Sequence, residues 1–217
     1  MMISLRQFMK YLFLRRIVEW DYRLIKIPKY VSNSYVPVET KEARAMVDKI
    51  KIERFLNLRN KTILLFLYSS GVRVSELCDL RTGQIVPNEQ YAVIISKKSR
   101  KKRMIFWNGE TDEYLATYLE QRKEIATTDH VFISLANQSY GKGLTTRSIE
   151  RFVEEVRMRP EISPHSYRHG FGMREVKAKI HPRYIQTHLG HLHINSSQIY
   201  MDICDPDAKR AYDEVGH

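Results

Sequence analysis

The sequence predicts an α+β fold, mainly α-helical, with one small antiparallel β-sheet. Apolar residues recur at helical spacing through most of the chain, and Ser, Gly and Pro breaks divide the helical runs. Only two short runs, YAVIIS at 91–96 and RMIFW at 103–107, have the β-branched and aromatic character of strands. A compact basic segment joins these two, as in a hairpin.

Residues 4–20 place Leu5, Phe8, Leu12 and Ile17 at helical spacing among basic side chains. Residues 27–37 (IPKYVSNSYVP) hold two prolines and read as an extended linker. One helix before a linker is too little for an independent domain. The expected division is therefore residues 1–37, helix plus linker, and residues 38–217, the main domain with a short C-terminal tail. Residues 38–56 read as a helix capped by Thr40, and 61–68 as a buried one broken by Ser69, Ser70 and Gly71. A short helix follows near Val72. Beyond the hairpin, 111–125, 146–158 and 164–179 read as helices, and a final pair flanks His191.

The chain of 217 residues carries 36 Lys and Arg against 25 Asp and Glu, a net charge of +11. That excess suits a protein that meets a polyanion, a nucleic acid above all. The two cysteines, Cys78 and Cys204, form no paired framework, which fits a reducing cytoplasm, and Cys78 reads as a small core residue. No apolar stretch approaches membrane-spanning length, and the N-terminus lacks the pattern of a secretory signal.

Five segments carry chemistry. In GVRVSELCDL, Arg73 follows the Gly71 break and Glu76 lies one turn on. The pair reads either as a surface ion pair or as a phosphate-directed guanidinium held by its carboxylate. In SKKSRKKR, six of eight residues at 96–103 are basic. A hairpin tip of this kind touches phosphates through Lys97, Arg100, Lys101, Lys102 and Arg103. One lysine, Lys98 or else Lys97, could protonate a leaving oxygen.

In SPHSYRHG, Ser163 and Pro164 read as N-cap and first helical residue. That puts His165 and Arg168 in a first helical turn, a setting that favours an anion. In HLGHLH, Gly190 reads as the residue ending a helix, which places His191 at the turn. The histidines 165, 169, 188, 191 and 193 invite a metal, but their spacing matches none of the usual zinc signatures, so neither metal nor cofactor is expected. In NSSQIY, Asn195 and Gln198 form a capping-box-like pair for a short helix carrying Tyr200. Two arginines, two histidines, a lysine and a tyrosine suffice for metal-free phosphoryl transfer. The guanidiniums would balance charge on phosphorus, and the phenol would serve as nucleophile.

These residues, in this order over 38–203, resemble the catalytic domain of the tyrosine recombinase (phage integrase) family. The matching residues are Arg73 in GVRVSEL, Lys98 in the basic hairpin, His165 and Arg168 in PHSYRHGFG, His191 in HLGH, and Tyr200 in QIY. The resemblance implies a site-specific DNA recombinase, an integrase of the mobile-element kind, that cleaves and rejoins strands through a 3′-phosphotyrosyl intermediate. It makes Tyr200 the nucleophile, Arg73 and Arg168 the phosphate clamp, His165 and His191 its hydrogen-bonding partners, Lys98 the general acid and Glu76 a supporting carboxylate. It further implies a tetramer on DNA that exchanges a C-terminal segment, here 204–217, between neighbours. Residues 1–37 then resemble the tail of the DNA-clamping domain that precedes the catalytic one in most members. Either the chain is naturally minimal or it is a piece of a longer protein. Two other outcomes stay open at this point, a catalytically idle DNA-binding relative and a type IB-like nicking-closing topoisomerase.

Overall fold

The computed structural model describes residues 2–25, 36–86, 89–95 and 102–190, and the chain divides into two units, Met1–Ser34 and Tyr35–His217. In the first unit, helix α1 (Met2–Leu14) is followed by a single 3-10 turn at Tyr22–Leu24, which Asp21 caps by accepting from the Arg23 N–H at 2.9 Å.

The second unit is built around α3 (Phe55–Ser70), which is apolar on nearly every side and buries Leu58 and Ile63–Leu67. A helix buried all round belongs at the centre of a domain. It packs against α2 (Thr40–Asp48), α5 (Gly109–Arg122), α7 (Pro164–Lys177) and strand β3 (Lys102–Phe106). Helix α6 (Thr146–Val156) packs on α4 (Val74–Asp79) and α7, and α8 (Pro182–Leu189) lies on α7 and β3. In the core Tyr118 stacks on Phe132, which Phe66 meets edge to face, and the Tyr118 hydroxyl donates to Val131 O at 3.2 Å and accepts from Ile133 N at 3.1 Å. Cys78 is buried, as expected of a small core residue.

The sheet has three antiparallel strands in the order β1 (Ile85–Val86), β2 (Tyr91–Ile95), β3, with Ile95 opposite Lys102 and Tyr91 opposite Phe106. Two-residue β1 has no period of its own and was invisible to the pattern. The expected helix over 38–56 is broken: α2 stops at Asp48, and α3 starts at Phe55, ahead of the expected 61–68 segment, and runs through Ser69 and Ser70 to stop only at Gly71. Thr40 is not the cap. Glu39 is the N-cap residue, its N–H donating to Glu42 Oε2 at 3.0 Å, while the Thr40 hydroxyl accepts from Tyr68 at 3.0 Å. Most of the 27–37 linker lies outside the described residues. Among the described residues, no helix is long and apolar enough to cross a membrane.

Candidate active site

The site is assembled where three chain breaks meet. Helix α3 ends at Gly71 in the left-handed conformation, φ 59°, a turn that a residue with a Cβ resists. A Cβ on Gly71 would lie 2.6 Å from the Phe171 ring, so a glycine is needed on both counts. The chain then passes through Arg73, the N-cap of α4. Glu76, at the third position of α4, reaches back to accept the Arg73 N–H at 3.1 Å and the Arg73 guanidinium (Nη1) at 3.0 Å. Carboxylates are favoured there because the first turn leaves N–H groups unpaired. The surface-pair reading fails: the Glu76 side chain is 6% exposed and that of Arg73 31%.

Arg168 is buried one turn into α7, where Nη1 donates to Gly71 O at 2.9 Å and Nη2 to Leu189 O. Arg73 Nη2 donates to the next carbonyl, Gly190 O, at 3.2 Å. Both guanidiniums are therefore anchored by consecutive carbonyls at the C-terminal end of α8, where unpaired carbonyls carry partial negative charge. Gly190 ends that helix at φ 59°, as the sequence predicts.

The α7 start is also as expected: Ser163 is the N-cap, its N–H donating to Ser166 Oγ at 3.1 Å, and Pro164 opens the helix. His165 and Val74, the residue after Arg73, line one cavity of about 170 Å³ together with Glu150 and Glu154. Burial, aided by Arg168 and Arg73 and opposed by Glu150, lowers the pKa of His165. Burial, with Arg168 and His165 adding, brings His169 down to about 4. Both imidazoles are thereby held neutral near pH 7, and a neutral imidazole can both donate and accept a hydrogen bond. His188 pairs instead with Glu175, Nδ1 to Oε1 at 2.6 Å. Gly170 faces the chain entering α2, where a Cβ would come within 2.4 Å of Val38 O, which is why a small residue stands beside His169.

Arg103 needs correction. Expected among the outward phosphate contacts, it points inward from β3, its side chain 6% exposed, and Nη2 donates to Glu76 Oε2 at 2.7 Å. Strand alternation is the reason: Lys102 and Met104 face out, Arg103 and Ile105 face in. Lys102 keeps the outward position expected of it. Sequence reasoning thus missed a buried ion pair, because KRMIF has apolar residues on both strand faces and its period alone does not say which face is buried. Lys97, Lys98, Arg100, Lys101, His191, Tyr200 and the 204–217 tail lie outside the described residues.

Residues 37–205 match the model of the phage integrase family. Tyrosine recombinase XerD of Chlamydia pneumoniae is 34% identical over 158 residues, covering 70% of this chain and 51% of the relative, so the match spans about half of that protein's length. Tyrosine recombinase XerC of Myxococcus xanthus is 29% identical over 226 residues, 98% of this chain and 73% of the relative. Among solved structures, XerA recombinase superposes with a TM-score of 0.69 at 25% identity, covering 89% of this chain and 68% of that one. A XerH recombinase bound to its difH substrate after cleavage shares the fold, with a TM-score of 0.68 at 19% identity over 86% of this chain and 55% of that one.

Proposed function

The chain belongs to the phage integrase family of tyrosine recombinases, and on that premise we propose that it is a site-specific DNA recombinase. The observation that carries this reading is that Arg73 with Glu76 at the start of α4, and Arg168 with His165 in the first turns of α7, are brought together, both guanidiniums meeting at the end of α8, immediately before His191. Two guanidiniums anchored on their far side by carbonyls are suited to hold a phosphodiester whose charge grows during displacement.

In the proposed reaction the Tyr200 oxygen attacks phosphorus and gives up its proton. The bond to the 5′ oxygen breaks, and that oxygen leaves as a hydroxyl with a proton from Lys98 or a histidine. The new bond is a 3′-phosphotyrosyl link. A 5′-hydroxyl from a partner duplex then attacks the link and restores Tyr200. One phosphodiester is exchanged for another, so the cycle balances without ATP. The proposal also takes the protein to act in the cytoplasm on double-stranded DNA as a homotetramer.

Two labelled duplexes bearing the sequences that flank the gene test the reading, with joined recombinant strands expected. Binding that falls with salt but yields no cleavage would mark an idle DNA-binding relative. Relaxation of plasmid lacking any such site would mark a nicking-closing enzyme.

A further inference from the structure

Glu76 faces two buried or half-buried cations, not one. Its Oε1 accepts from Arg73 Nη1, while Oε2 accepts both the Arg73 N–H and Arg103 Nη2. We infer that Arg103, rather than touching DNA, is a positioning residue for strand cleavage: it pins Glu76 from behind and so fixes the Arg73 guanidinium. The inference rests on the recombinase reading above.

Three observations support it. The first is that stability alone gives little reason for this arginine. Its Nε and Nη1 are buried with no hydrogen-bond partner among the described residues, and burial lowers its pKa although Glu76 opposes that shift. Apolar replacement of a whole buried ion pair is commonly neutral or stabilising, so the pair is weak evidence for a purely stabilising role. The second is mechanical. Arg103 projects from a strand paired along five registers with β2, a stiffer mount than a loop. The third is its neighbour. A Cβ on Gly190 would come within 2.4 Å of Arg103 Nε, so Arg103 also underlies the α8 end that receives Arg73.

Without Arg103, the Glu76 carboxylate loses its second cation, and Oε2 keeps only the Arg73 backbone N–H. The Glu76 carboxylate can then rotate both oxygens toward Arg73 and draw that guanidinium off Gly190 O. Misplacement of this kind slows chemistry without weakening DNA binding.

The test is single-turnover formation of the covalent adduct on a nicked duplex, with DNA affinity measured across salt. Arg103→Met should bind with an unchanged salt slope yet form adduct about 10²-fold more slowly, the cost of roughly 1 Å of misplacement. Arg103→Lys, which keeps the cation, should recover most of that loss. In the Glu76→Gln background, adding Arg103→Met should cost nothing further, because the residue acts through Glu76. That last comparison holds even if Arg103→Met alone fails to fold. A salt slope reduced by about one unit would show direct phosphate contact and overturn the inference, as would a full additive loss in the Glu76→Gln background. No adduct from the wild type would strike the recombinase reading instead.

Discussion

Arg73 donates from Nη2 to the carbonyl of Gly190 at 3.2 Å, joining positions 117 residues apart. Arg168 takes the carbonyl just before it, that of Leu189. The end of one short helix therefore sets both guanidiniums, and it sets them beside the residue where His191 follows in the chain. Geometry of this sort brings two guanidiniums far apart in sequence to one place, as the proposed phosphate clamp requires.

Removing either clamp should therefore cost far more than a surface contact. Arg73→Ala or Arg168→Ala should lose about 3 kcal/mol or more of transition-state stabilisation, a hundredfold or greater fall in single-turnover cleavage. Arg168→Ala also strands the carbonyls of Gly71 and Leu189, at about 1–3 kcal/mol of stability for each one left buried and unpaired, so its melting must be followed in parallel. Rates within tenfold of wild type would contradict the assignment.

Gly190 should tolerate no side chain. It sits at φ 59°, and a Cβ there meets the Arg103 side chain at 2.4 Å. Gly190→Ala should lose at least the left-handed penalty of about 1–2 kcal/mol, and thermal denaturation should register it as a drop of several degrees. A loss no larger than that penalty would show that Arg103 moves aside freely, and an unchanged melting temperature would contradict the left-handed turn itself.

Acid should weaken the fold through the α7 histidines. His169 falls from 6.5 to about 4 on folding, and His165 shifts in the same direction. The unfolded chain then binds more protons than the folded one in this range, so their contribution is full above pH 6.5 and drains away toward pH 4. Urea unfolding across that range should show the decline, and His169→Gln should flatten part of it. A wild-type profile flat from pH 7 to pH 4 would contradict the burial of these rings.

The hairpin tip calls for a different measurement. Lys101→Ala should reduce the salt slope of DNA binding by about one unit while leaving cleavage at saturating DNA nearly unaltered. An unchanged slope would show that this lysine touches no phosphate.

Much of this was legible in the chain. The Ser163–Pro164 start and the Gly190 stop were readable because capping and left-handed turns are chosen locally, by the residue itself. The strands at 91–96 and 103–107 were readable from β-branched and aromatic content. The break between Asp48 and Phe55 was not, because apolar spacing continues across it and only packing decides where a helix stops. Nor was the Arg103–Glu76 pair, since a one-residue slip of β3 would turn Arg103 outward into the basic run where composition had placed it. Arg73 and Glu76 were recognisable as a pair, but their setting depends on Arg103 of β3 and on Gly190 at the end of α8, both distant in the chain.

The central claim, a phenol joined covalently to DNA under a two-arginine clamp, is tested most directly by identifying the attached residue. A nicked duplex that traps the intermediate should yield a protein–DNA adduct, and mass analysis of the digested product should find the nucleotide on Tyr200. Tyr200→Phe should give none. An adduct mapped to another side chain, or one that survives Tyr200→Phe, would contradict the account.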